Sequence, residues 1–153
     1  MTTTVTPLQT ALAAEHAAVY VYGVLGGRAS RTGATDLSRA VRSAYESHRA
    51  RRDRLQALIA DAGEEPVGPA PAYATPRRID TPAGIRRAAL ELERSCQETY
   101  AWVVSQTHDG ARSWAVDALK DGAVRGLTFR GTPETFPGIR ELTDHSKGLD
   151  TRP

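Results

Sequence analysis

Between Gly63 and Pro82 the chain carries five prolines: Pro66, Pro69, Pro71, Pro76 and Pro82. Proline fixes φ and removes a backbone donor, so this stretch of about twenty residues cannot be a helix and is expected to follow an extended path. The sequence on either side reads as helical. At ~3.1 Å per residue such a path reaches ~60 Å, whereas a helix of about 26 residues is ~39 Å long at 1.5 Å per residue. The stretch can therefore span the whole length of a helical bundle and set a third helix parallel to the second.

The flanks supply two helices each. Thr6-Pro7-Leu8-Gln9 reads as a capped start with proline at the first helical position. Leu8, Leu12, Val19, Tyr22 and Gly26 then recur at steps of three and four. Helix 1 is predicted over about 7–25, stopped by Gly26-Gly27. Asp36 is the expected cap of helix 2, about 37–62, whose stripe is Leu37, Val41, Tyr45, His48, Arg52, Leu55 and Ile59. The connection 63–81 follows. Thr81-Pro82 opens helix 3, about 82–106, along Ile85, Ala89, Leu92, Cys96, Tyr100 and Val103. After a turn at His108-Asp109-Gly110, helix 4 is predicted over about 111–130. Ala115, Leu119, Ala123 and Gly126 are its inner face, and Gly131 is its C-cap. The tail, 131–153, is expected to pack on the bundle in its first half. Short loops make each flank an antiparallel hairpin. The expected fold is all-α, a single domain over 1–153, a four-helix bundle with one long crossover between helices 2 and 3, which is the ferritin-like arrangement.

Composition narrows the function classes. Twenty basic residues against 18 acidic ones leave a net charge of +2, without the basic footprint of a nucleic-acid binder. No run approaches the ~18 apolar residues of a membrane span, and Met1 to Thr6 lacks the pattern of a signal peptide. Cys96 is the one cysteine, which excludes an intrachain disulfide and fits a reducing compartment. A cytoplasmic protein with neither membrane nor nucleic-acid partners is the expectation.

Four segments carry a resemblance: Ala14-Glu15-His16-Ala17-Ala18-Val19-Tyr20, His48-Arg49-Ala50-Arg51-Arg52-Asp53, Pro71-Ala72-Tyr73 and Arg130-Gly131. Together they resemble an actinobacterial family of ferritin-like domain proteins of unknown function, over about residues 8–140. The resemblance implies the ferritin-like bundle and implies no activity.

Ferritin-like di-iron proteins take one Glu from each of two helices and Glu-x-x-His from each of two others, the spacing that puts both side chains on one face. Glu15 lies on the inner stripe of helix 1, where a charge is costly without a partner. His48 lies on the stripe of helix 2, but Tyr45 stands three residues before it, and Glu46 projects elsewhere. Glu93 sits at the edge of the helix 3 stripe. In helix 4, Asp117 and Asp121 have no histidine at +3. At most Glu15, His48, Glu93 and Asp121 remain of a six-ligand set. Two readings follow. In the first, Glu15, His48 and Glu93 belong to a buried polar cluster with Tyr45 or Arg52 as neighbour, and no cofactor is expected. In the second, Glu15, His48 and Glu93 hold a single iron, zinc or manganese ion.

The remaining features read as structural. Arginines crowd helix 2, but acidic residues interleave with them and no aromatic residues alternate as on a base-stacking platform. His16 projects about 100° from Glu15, and His108 and His145 fall in a loop and the tail. Cys96, on the helix 3 stripe, reads as a small buried apolar residue. Tyr20, Trp102 and Trp114 are candidates for an exposed apolar strip, and the ferritin-like resemblance implies a homodimer as one candidate assembly, beside an unknown protein or small-molecule partner. The function expected is that of a non-enzymatic domain acting by self-association or partner binding. The alternative is a metal-binding protein or oxidoreductase with a reduced ligand set at Glu15, His48 and Glu93.

Overall fold

A computed structural model of the protein describes residues 5–132 and 136–139. Those residues form four helices and no strand: α1 (Val5–Ala29), α2 (Thr35–Asp61), α3 (Pro82–Gln106) and α4 (Asp109–Arg130). None is long and apolar enough to cross a membrane.

The helix ends follow local chemistry. Thr81 caps α3, its hydroxyl accepting from the Gly84 N–H at 3.1 Å, with Pro82 in the first turn. Gly131 closes α4 in the left-handed region at φ 88°, donating to the Leu127 carbonyl. Several ends differ from the sequence expectation. α1 begins at Val5, so Thr6 lies inside it and is not its cap, and α4 takes in Asp109 and Gly110, expected in the turn before it. Gly26-Gly27 does not stop α1, which continues to Ala29. Leu25 and Ala29 are fully buried there, in one cluster with Leu37 and Val41. That burial offsets the ~1 kcal/mol cost of each helical glycine. Asp36 is not the cap of α2. Ala34 stands at that position with no side-chain bond, and Asp36 lies in the first turn, where its charge favours the helix dipole.

Contacts fix the helix directions. Glu15 meets His48 and Gly26 faces Val41, so α2 runs antiparallel to α1. Tyr22 meets Glu93 and Tyr100 meets Glu15, so α3 also runs antiparallel to α1. Gln97 bonds Gly122, and Arg125 bonds Glu93, turning α4 back along α3. The segment between α2 and α3 contains no helix and lies along α1. Gln9 bonds the Glu65 carbonyl and the Val67 N–H, His16 bonds the Val67 carbonyl, Tyr20 bonds Thr75 and packs its ring at a tilt against Tyr73, and Arg28 pairs with Asp80. Thus His16, which projects about 100° from Glu15, is buried where α1 meets this segment and anchors it.

The segment ends in a tight construction. Arg78 holds φ 56°, and a Cβ on Gly84 would lie 1.9 Å from the Arg78 carbonyl oxygen. Gly84→Ala must therefore move backbone rather than a side-chain tip. We expect it to cost ~1–3 kcal/mol, the range for overpacking a filled site, and to lower the calorimetric midpoint by several degrees. A midpoint equal to wild type would mean that the loop is not fixed against this helix.

The apolar core divides into two ends. Tyr22, Leu25, Leu37, Val41, Ile85 and Phe129 fill one, and Leu8, Leu12, Leu55, Ile59, Val103 and Ala115 fill the other. Full burial of each such leucine or isoleucine is worth ~1.5–3 kcal/mol. The middle layer is charged, with a third, smaller apolar cluster of Ala18, Cys96, Tyr100 and Ala118 beside it.

Candidate functional site: a buried charged layer

Glu15, His48 and Glu93 are fully buried, and His48 contacts both carboxylates. The His48 imidazole lies between the carboxylates, Nδ1 at 2.6 Å from Glu15 Oε2 and Nε2 at 3.1 Å from Glu93 Oε1. A neutral imidazole has one N–H and would turn a lone pair toward one of the carboxylates. Burial alone would lower the His48 pKa. The bonds to Glu15 and Glu93 outweigh it and hold the pKa above its usual value, which favours the form that donates from both nitrogens. Burial likewise pushes Glu93 upward, but its bond to His48 and the Arg125 charge prevail and hold it below the usual carboxylate range.

Two tyrosines and two arginines complete the layer. Tyr22 donates to Glu93 Oε1 at 2.6 Å and Tyr100 donates to Glu15 Oε1. Burial raises both phenols well above 10.0, with the facing carboxylates adding to the shift, so both remain neutral donors. Tyr22 also stacks on the His48 ring at 5.2 Å. Arg125 Nε donates to Glu93 Oε1 at 3.1 Å. The Arg51 guanidinium lies 5.5 Å over the Tyr100 ring and reaches Asp121 at 2.9 Å. With His48 protonated, its charge and those of Arg51 and Arg125 balance Glu15, Glu93 and Asp121. That balance is what allows ions to be kept from water.

The layer has an internal two-fold pattern. Tyr22 follows Glu15 by seven residues, and Tyr100 follows Glu93 by seven. Each tyrosine crosses to the other helix's carboxylate. Arg51 follows His48 by three residues, and Arg125 follows Gly122 by three. The equivalence breaks at Gly122, the counterpart of His48. There Gln97 fills the space: its Nε2 donates to the Gly122 carbonyl at 3.1 Å, and a Cβ on Gly122 would come within 3.0 Å of its Cγ.

Several sequence expectations change at this point. Arg52, the suggested neighbour of Glu15, is partly exposed and bonds Asp53 instead. Tyr45 lies under Arg49, with its ring 5.7 Å from that guanidinium, and Tyr22 and Tyr100 are the tyrosines that bond the carboxylates. Arg51, not Arg52, faces inward because the stripe of α2 steps by three after His48 rather than by four. The inner face of α4 is Ala115, Ala118, Gly122, Gly126 and Phe129, one residue round from the expected Leu119 and Ala123. Asp121 is on the rim, in its pair with Arg51. Glu93 is inside rather than at the edge. Cys96 is buried beside the layer, and burial together with the Glu15 and Glu93 charges raises its thiol pKa well above 9.0, which leaves it unreactive. The repeated Glu-x6-Tyr spacing was the readable signal for Tyr22 and Tyr100.

The geometry bears on metal binding. Nδ1 and Nε2 lie on different edges of the ring, so Glu15 and Glu93 flank His48 rather than converge with it on one point. Among the described residues no group of three or more His, Cys, Asp or Glu side chains is arranged to hold a metal ion.

Comparison with known proteins agrees with an uncharacterised family. No curated protein matches the chain. A conserved hypothetical protein, rv2844, from Mycobacterium tuberculosis has a similar crystal structure, with a TM-score of 0.73 and 26% sequence identity. The match covers 86% of this chain and 95% of that one. The family model described as a domain of unknown function, DUF4439, matches residues 7–141. The chain therefore belongs to the DUF4439 family, a family of unknown function with a mycobacterial structural relative.

Proposed function

We propose that this protein is a ferritin-like domain whose centre is held by side-chain cations instead of metal ions, and that it acts through its surfaces, by self-association or by binding a partner, rather than by catalysis. The observation that carries the reading is the pair of arginines on α2 and α4. The di-metal pattern requires Glu-x-x-His on two helices. Here the i, i+3 positions facing the carboxylates are His48 with Arg51 and Gly122 with Arg125. Arginine binds no metal, and its charge neutralises the same carboxylates a metal would bridge. The segment from α2 to α3 acts in this reading as the long crossover of the ferritin-like arrangement. Full burial of Glu15, His48 and Glu93 gives a substrate no approach to them.

Surface chemistry supports association. Val124, 65% exposed, and Leu127 stand one turn apart on α4, and Tyr20 and Trp102 are also exposed. Trp114 does not belong to such a strip, since it is half-buried and edge-on to Tyr100.

The test is metal analysis by mass spectrometry of protein purified after growth with iron, zinc and manganese. No stoichiometric metal is expected. One or two equivalents of one metal, lost in His48→Ala, would overturn the reading in favour of a reduced-ligand metal protein. Light scattering over a wide concentration range tests self-association; a monomer throughout would leave partner binding alone.

A further inference from the structure

We infer that the groove between α2 and α4 is a binding site for a small organic anion, a carboxylate or phosphate carried on a flat apolar body. This inference goes beyond the functional reading above and shares Arg51 with it. The two helices scarcely touch, and a cavity of about 360 Å³ lies between them. That volume falls within the range of small-molecule pockets, on the order of 300–1,000 Å³.

The unused capacity of this groove is for accepting an anion. Arg51 lines it with a side chain only 10% exposed. Its Nη2 is taken by Asp121, but its Nη1 is buried and has no hydrogen-bond partner. A buried guanidinium nitrogen without a partner is costly, and such atoms call for a functional reason. Arg54 lies one turn further along α2, lines the same cavity and is exposed. Two guanidinium groups at i, i+3 form a fork for carboxylate or phosphate oxygens.

The acidic groups of the groove are already engaged. Asp121 accepts from Arg51 and Asp117 is paired with Lys120 at 3.6 Å. The two arginines and two aspartates that line the cavity balance in formal charge, and Lys120, outside the lining, offsets Asp117 and leaves the Arg54 charge in excess. The wall opposite the arginines is Trp114, and Ala50 and Ala118 leave room beside it. An indole wall facing a cationic fork selects an anion with a flat apolar portion over a bare ion.

Trp114 also provides the readout. The chain contains two tryptophans, so a Trp102→Phe background leaves Trp114 as its one indole. This protein is titrated at constant ionic strength with phenyl phosphate, benzoate and inorganic phosphate, followed by Trp114 emission and in parallel by calorimetry. Saturable binding of phenyl phosphate or benzoate is expected, and the tighter of the two identifies phosphate or carboxylate as the preferred head group. Arg54→Ala, at an exposed position, is expected to keep the thermal midpoint and weaken binding about tenfold or more, the equivalent of one charged hydrogen bond. Absence of both heat and emission change, equal affinity for inorganic phosphate, or unchanged affinity in Arg54→Ala would each overturn the proposal.

Discussion

His48→Ala is expected to lower stability by ~3–5 kcal/mol, the cost of breaking a buried pair by removing one partner. For a chain of this length that corresponds to a fall of about 10 °C or more in thermal midpoint. Glu15 loses its Nδ1 donor and keeps only Tyr100, and Glu93 loses its Nε2 donor. Glu15 is then left with no cation bonded to it, and Glu93 with Arg125 alone. The effect should exceed that of a purely apolar truncation of similar volume, because the residual cost is electrostatic. His48→Gln separates the two contributions: it fills much of the space with a neutral donor and should recover part of the loss. If His48→Ala melted within a degree or two of wild type, the layer would not be the ion network described here.

Removal of the opposite charge should be as severe and should reshape the pH dependence. Glu93 Oε1 accepts from Tyr22, His48 and Arg125. Glu93→Gln leaves two cations facing a neutral amide, and a loss of ~3–5 kcal/mol is again expected. The signs of the two pKa shifts set the wild-type profile. Because the folded pKa of His48 is raised, its contribution is complete below 6.5 and declines as pH rises through the folded value. Because the folded pKa of Glu93 is lowered, its contribution is complete above 4.5 and declines as pH falls through the folded value. Together these groups favour stability between about pH 4.5 and 6.5, with a shoulder on each side. Denaturant midpoints across pH in wild type and Glu93→Gln check this. The variant should lose the acid shoulder and weaken the alkaline one, since His48 then has one carboxylate rather than two. Parallel profiles would show that neither shift originates in this contact.

The physics explains which parts of this architecture are legible from the chain alone. Helix starts at Thr81-Pro82 and the stop at Gly131 are decided within a few residues, and a reader of the sequence sees the same atoms that decide them. Glu15 and His48 are conspicuous because a charged or polar group on an apolar stripe needs a partner. The partner itself depends on helix rotation. Arg51 and Arg52 differ by 100° around α2, and Leu119 and Ala118 by the same angle around α4, so a one-residue error in phase exchanges an inward arginine for an outward one. Gly26-Gly27 misleads for another reason: the helix is continued by burial against Leu37 and Val41, contacts that are distant in sequence.

The crossed tyrosine–glutamate pairs also bear on how the two hairpins find each other. Glu15, Tyr22, His48 and Arg51 belong to the first hairpin, and Glu93, Tyr100, Gly122 and Arg125 to the second. Apolar surfaces alone would tolerate a slip of one turn between them, with leucine exchanging for leucine or alanine at little cost. A slip of one turn here would draw both phenols off their carboxylates at once and strand His48 against a single acceptor. The layer therefore works as a registration key: of the many alignments greasy surfaces permit, it leaves one in which both phenols and the His48 ring meet their carboxylates. A hairpin separated from its mate would hold half of that key, with charges that only the other half can neutralise.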